Sequence, residues 1–588
     1  MPAELVLGIV ATVDLCFKYG QELRRLCSAL KRAESEVSER ALRLDNGWLR
    51  ITHQLNFLRR VQHMMDEEHQ EVYEQTLQMF STKLEIVTLM LKRMVKSAAP
   101  QHQADDDNTC RGPIPISELT IKPQRFKYAR QKESLDKAIE DLEIWQRTAD
   151  LSWFLLLKIA DPRVDAALAR PDAHENGSSS GADSDAMSMT STANLIPSTV
   201  MIRAGLDDSQ SLGPRSSGLT LNPDELAKMQ VSSIPYCGKQ LVMAHRQHSN
   251  GNTSSYILNY IQCYPPSKYA TIKKDTRDLA RKLNHNDPDT FGLLSCKGFA
   301  TESAEDSLSS TPVTVIGLGS DTGAGNIQEQ QHRNVRFTLV FRIPSGLSND
   351  ARSLRELLVS TPAPKSLTAR FDIARALARS VSYVHTFGFV HKSVRPESVI
   401  CFSSSESQHM SIFLAGFENF RRDEGWTQRH GDDAVHKNMY RHPSRQGTNP
   451  REDYMMQHDI YSLGVCLLEI GLWRSFIEFD CTTMRESEEW LRPRLADMFG
   501  PKLASSSESQ VAEGLRESGI DLLLALARNQ LPGCMGTRYA EIVETCLTCL
   551  DPRNADFGDE REFEDEDGIR VGARYIEKVV LRLNMLSV

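Results

Sequence analysis

Residues 391–400 read His-Lys-Ser-Val-Arg-Pro-Glu-Ser-Val-Ile, and the reading of this stretch decides the fold of the C-terminal half. Further fragments follow it in order. Ile412 to Phe420 read Ile-Phe-Leu-Ala-Gly-Phe-Glu-Asn-Phe, and Tyr440 to Ser444 read Tyr-Arg-His-Pro-Ser. Asp459-Ile460-Tyr461-Ser462-Leu463-Gly464-Val465 runs on into Leu467-Leu468-Glu469, and Asp551-Pro552-Arg553 follows Cys546-Leu547. Leu463, Val465, Leu467, Leu468 and Ile470 form an apolar stretch suited to a helix buried on most sides. Each fragment alone is weak; their order and spacing carry the inference.

In that order the fragments resemble the second half of a protein kinase. The family's catalytic loop is His-Arg-Asp-Leu-x-x-x-x-Asn, in which the Asp accepts the proton of the substrate hydroxyl and the Asn holds magnesium. On that pattern His391 is kept, Lys392 replaces the Arg, Ser393 replaces the catalytic Asp and Ser398 replaces the Asn, with Arg395 between them. A neutral hydroxyl with no adjacent base is a poor proton acceptor, and it binds magnesium more weakly than a carboxylate or amide oxygen. The Asp-Phe-Gly that binds the bridging magnesium aligns with Gly416-Phe417-Glu418, so the ligand atom is gone and Glu418 is a nearby carboxylate from a shifted position. The resemblance implies that Asp459 anchors the loop and that His391 helps hold its shape. It also implies weak or absent binding of ATP and magnesium, and no cofactor.

The nucleotide-binding half is harder to trace. Strands are expected at Lys239 to His245, Phe291 to Phe299 and Phe337 to Ile343, and helices at Asp275 to Leu283 and from Ser353. No Val-Ala-Ile-Lys is present; Val242-Met243-Ala244-His245-Arg246 comes nearest and puts His245 or Arg246 at the phosphate-pairing lysine. No Gly-x-Gly-x-x-Gly precedes that strand. Gly317-Leu318-Gly319 with Gly323 and Gly325 falls after the expected helix and reads as an insertion. Asp556-Phe557-Gly558 lies beyond every landmark, beside the acidic run 559–567, and reads as a surface loop.

The chain has 588 residues, room for two to four domains, and a net charge of −9 that leaves no whole-chain footprint for nucleic acid. Its twelve cysteines show one close pair, Cys546 and Cys549, which reads as reduced core cysteine rather than a zinc site. With no signal-peptide pattern and no long apolar span, an intracellular protein is expected, cytoplasmic and open to recruitment to a membrane.

The first 170 residues read differently. Leu5, Val6, Ile9, Val10, Val13, Phe17, Leu23, Leu26 and Leu30 keep helical spacing, and further helices are expected over 34–65, 68–97 and 130–160. In the last, Leu135, Ile139, Leu142, Trp145, Leu151 and Leu155 should point inward. Amphipathic helices joined by turns suit an up-down bundle, and residues 162–170 add a brace. A bundle with an apolar first helix, ahead of a kinase-like domain without its catalytic residues, resembles fungal HeLo-type proteins. The architecture is similar to that of mixed lineage kinase domain-like proteins. That resemblance implies a membrane-permeabilising or cell-death module held by the appended domain. Physically, Leu5 to Val13 is too short to span a bilayer alone and reads more readily as a core helix than as a membrane-seeking one, the two being compatible if a buried helix is later released. Residues 1–100 hold 14 Lys and Arg against 13 Asp and Glu, without the basic excess of a lipid-binding cluster.

The expected organisation is therefore multidomain. An all-α bundle (1–170) and a Ser/Gly-rich disordered linker (171–222) precede the two lobes of a kinase-like α+β domain, 223–345 and 346–588. Three function classes stand: a pseudokinase regulating a bundle that acts as a membrane-permeabilising or cell-death effector, with protein partners, membrane lipid at the N-terminal helix and self-association expected; a soluble signalling scaffold without membrane action; and an atypical kinase that binds ATP.

Overall fold

The computed structural model describes residues 3–30, 35–65, 67–95, 125–156 and, apart from short interruptions, 219–303, 335–477, 508–558 and 569–586. The chain divides into two units, Met1–Met201 and Ile202–Val588. The linker up to residue 218, the brace and the Gly317 to Gly325 segment lie outside the described residues, as do the side chains of Leu5, Val6, Leu151 and Leu155.

Among the described residues the first unit contains four long helices, α1 (Ala3–Leu30), α2 (Ser35–Val61), α3 (Glu67–Val95) and α4 (Arg125–Leu156). Their stripes meet in one core that includes Ile9, Val13, Leu23, Trp48, Phe80, Leu84, Ile139 and Trp145. Gly20 is required by a close approach, because a Cβ there would meet the Trp48 ring at 2.0 Å. The helices alternate in direction, but neighbours in space are not all neighbours in sequence. α1 runs antiparallel to α2, with Asp14 paired to Arg59 and Arg24 to Asp45. It runs parallel to α3, where Lys92 pairs with Glu22. α2 and α4 are likewise parallel, joined by Arg40–Asp136 and Arg43–Glu143. Ile9 and Val13 are fully buried and Val10 partly so, which makes this stretch of α1 a core helix. No helix among the described residues is long and apolar enough to cross a membrane.

The second unit begins with a five-stranded antiparallel sheet in the order β1-β2-β3-β5-β4. Its strands are β1 (Gln230–Ser233), β2 (Leu241–Gln247), β3 (Thr253–Gln262), β4 (Cys296–Ser303) and β5 (Val335–Arg342). The helix Tyr269–Asn284 connects β3 to β4. Period-two alternation sorts the side chains. Val242, Ala244, Leu258 and Val340 pack on one face with Leu226 and Met229, leaving Ile257, Asn259 and Ile261 on the other. The remainder is mainly helical around Met456–Leu472, which is buried on nearly every side. Between the sheet and that helix lie β8 (Val399–Ser403) and β9 (Met410–Leu414), labelled so after the short strands β6 (Arg352–Ser353) and β7 (Phe389–Val390).

Three expectations need correction. The strand expected at Phe291 to Phe299 starts later: Phe291 ends a short helix, Pro288–Phe291, stopped by Gly292 in the left-handed region, and β4 covers the expected strand only from Cys296 on. β1 and β3 were absent from the sequence reading. The Asp556-Phe557-Gly558 turn is packed rather than superficial. Phe557 is 3% exposed, and the amides of Asp556 and Phe557 both donate to Asn554 Oδ1 at 2.8 Å.

Candidate functional site

The His391 to Ile400 loop is built on one buried carboxylate. Asp459 projects from the first turn of Met456–Leu472 and accepts the amides of His391 (2.7 Å) and Lys392 (2.9 Å). It also accepts the Tyr454 hydroxyl at 2.7 Å and lies 3.1 Å from His385 Nε2. Burial pushes its acidity down, but hydrogen bonding and charge from His385 outweigh that and hold the carboxyl below the ordinary value. Lys392 consequently sits at φ +64, a region that costs a side-chain-bearing residue energy unless its surroundings over-determine it. The His391 ring donates from Nε2 to the Ala415 carbonyl (2.8 Å), takes the Ser393 amide on Nδ1 (3.3 Å) and lies against Phe417. Burial drives its pKa down to about 4, so the ring is neutral and positions the loop. His391 and Asp459 are thus joined through the loop backbone.

Ser393 is 9% exposed and faces a shallow cleft with Lys392, Arg395, Glu418, Lys437 and Arg441 on its walls. The carboxylate of that wall, Glu418, is ion-paired to Arg395. Lys392 has its ammonium over the Tyr454 ring, and desolvation, with Arg421 and Arg445 nearby, lowers its pKa to about 7.

The two positions that align with the magnesium ligands of a kinase are Ser398 and Gly416. Ser398 spends its hydroxyl locally, donating to the Arg395 carbonyl (2.7 Å) and accepting the Arg395 amide (3.1 Å). Gly416 has φ +72, and a Cβ there would lie 2.7 Å from Ser398 Cβ and 3.6 Å from Leu241 Cδ1. The side-chain space of one ligand position is filled by the other. Gly416→Asp is therefore expected to destabilise the protein by about 2–4 kcal/mol through overpacking and backbone strain. Thermal melts check this, and magnesium should not rescue the loss.

His245 Nδ1 meets Ser255 Oγ and Arg246 pairs with Glu225, so neither reaches the Gly416-Phe417-Glu418 loop. The residue that does is Asn259, on the third strand, where the kinase lysine is carried. Its side chain is fully buried. It accepts the Phe417 amide on Oδ1 (2.7 Å) and donates from Nδ2 to the Phe417 carbonyl (3.4 Å). An amide offers no charge to a phosphate and is already committed to backbone. On the Tyr269–Asn284 helix, Asp278 pairs with Arg422 at 2.8 Å.

Two further groups went unnoticed in the sequence. Arg355, fully buried, holds Glu397 (3.0 Å) and Glu469 (2.8 Å), and both it and Glu469 bond the Tyr440 hydroxyl. No local motif announces it, because its partners are 42 and 114 residues away. The second group is His442, Glu452 and His458, whose potential ligand atoms lie within 4.8 Å of one another. Ser444 Oγ already bridges the two rings, at 2.8 Å from His442 Nδ1 and 3.2 Å from His458 Nε2. The Met455 amide donates to His458 Nδ1, which places the neutral ring's proton on Nε2, the atom a metal would need. A hydrogen-bonded serine accounts for this trio better than a metal does.

No family model matches the chain. Part of it is similar to eukaryotic translation initiation factor 2-alpha kinase 1 of Rattus norvegicus, 31% identical over 107 residues, which are 17% of this chain and 16% of that protein. The protein of the same name from Mus musculus is 29% identical over 169 residues, 26% of each chain. The chain thus matches about a quarter or less of the length of these curated relatives. The likeness to a protein kinase is weak and partial.

Proposed function

We propose that the second unit is a protein kinase-like domain that has lost phosphotransfer and serves as a regulatory binding module for the helical unit, a pseudokinase in a multidomain signalling protein. The observation that carries this reading is the mutual packing of Gly416 and Ser398. The two magnesium positions are replaced by residues that occupy each other's space. Three more replacements point the same way: Ser393 is a neutral hydroxyl where a catalytic carboxylate would stand, Asn259 stands where a lysine would pair phosphates, and Glu418 is engaged by Arg395. Meanwhile the scaffold around Asp459 is complete. Loss of chemistry with retention of the scaffold is what a surface kept for binding requires. In this reading the bundle acts as a helical interaction module, since Ile9 and Val13 are already spent in its core.

Calorimetric titration of the full chain with ATP, with and without magnesium, tests the proposal. No saturable heat is expected at millimolar nucleotide. Magnesium-dependent binding in the micromolar range would overturn it in favour of an atypical kinase.

A further inference from the structure

The turn between β1 and β2 is the segment that would cover nucleotide phosphates if it carried glycines. Here it reads Ile234-Pro235-Tyr236-Cys237-Gly238-Lys239-Gln240. Instead of arching over an open cleft, it folds down into it. Ile234 is 2% exposed and Cys237 5%. The Cys237 thiol lies 3.2 Å from the Glu397 carbonyl, in the middle of the His391 to Ile400 loop. The Ser353 hydroxyl donates to the Pro235 carbonyl at 2.7 Å, and Leu241, the first residue after the turn, reaches toward Gly416. Tyr236 and Gly238 both have positive φ, at 67 and 63. Strain of that kind in a tyrosine persists only where surrounding contacts impose it.

We propose that this turn is a built-in plug, which takes the place of a nucleotide between the sheet and the catalytic-type loop and keeps the two parts closed without ligand. Asn259 is the matching clasp. Its two bonds to Phe417 tie β3 to the opposite wall of the same cleft, so that plug and clasp grip the Gly416 region from two strands. The inference rests on the kinase-like reading for what the plug replaces, but not for the plug itself. Release of the turn then becomes the conformational step through which a partner would act on this unit.

Cys237 is a natural reporter of that step. The full chain, native and as Ser353→Ala and Asn259→Ala, is pulsed with a maleimide and the labelled cysteines are mapped by mass spectrometry. Cys546 and Cys549, both buried against the Met456–Leu472 region, report global opening. Native protein is expected to protect all three. Each variant should label Cys237 faster, by about tenfold or more, with Cys546 and Cys549 unchanged, because losing a hydrogen bond of the closed form raises the local opening equilibrium by that order. Unchanged labelling of Cys237 in both variants overturns the plug. So does acceleration of all three cysteines together, since the turn would then be ordinary core. Nucleotide binding by the native chain would refute the non-catalytic reading while leaving this result to be judged alone.

Discussion

Replacing Arg355 with alanine is expected to produce one of the largest losses of stability available in this protein, about 3–5 kcal/mol, because it strands buried carboxylates without a counter-charge. Glu469 is fully buried, and burial already pushes its pKa up against the pull of Arg355. Its oxygens are otherwise met by the Tyr440 hydroxyl and the Phe476 amide. Glu397, the other partner, belongs to the catalytic-type loop itself. The loss should therefore loosen that loop as well as the Leu354–Ser360 helix that carries Arg355. Chemical denaturation with fluorescence detection measures it. Arg355→Lys should remain strongly destabilised, since a single ammonium cannot reproduce the fork that serves two carboxylates and a hydroxyl. Arg355→Met combined with Glu397→Gln and Glu469→Gln should recover much of the stability, because no buried charge remains unpaired. Equal stability of Arg355→Ala and the native chain would show that the network is incidental.

Asp459→Ala should rank beside it. The substitution leaves the His391 and Lys392 amides and the Tyr454 hydroxyl without their acceptor, at about 1–3 kcal/mol for each buried group. Together with the strained Lys392 backbone, this predicts a loss on the order of 3–6 kcal/mol, read as a fall in the denaturation midpoint. Asp459→Asn keeps one acceptor oxygen and should fall between. The sign of the acid response follows from the depressed pKa. The carboxylate contributes fully above its ordinary unfolded value, and the contribution fades as pH falls through the lower folded value.

The parts legible in sequence were those with local signatures. The bundle helices announced themselves by 3.6-residue spacing over many turns, and the Asp459 helix by an apolar run. The catalytic-type loop and its replacements could be aligned because motif order survives in them. The sheet was much less legible. β3 reads Thr-Ser-Ser-Tyr-Ile-Leu-Asn-Tyr-Ile-Gln, where serines and a central asparagine mask a strand. The asparagine is tolerated only because Phe417, 158 residues away, satisfies it. Val242–Arg246, one strand earlier, has the more strand-like sequence. Arg355 was invisible for the same reason, its value lying in contacts across the fold. The plug was hidden because a turn shows its sequence but not the direction in which it folds.

Phosphotransfer tests the central claim most directly. The full chain is incubated with magnesium and γ-labelled ATP, alone and with generic protein substrates, beside its Glu418→Ala and Lys392→Ala variants. Incorporation at background in all three is the predicted result. Incorporation well above background in the native chain, abolished by either substitution, would contradict it and assign a working catalytic centre to the His391 to Ile400 loop.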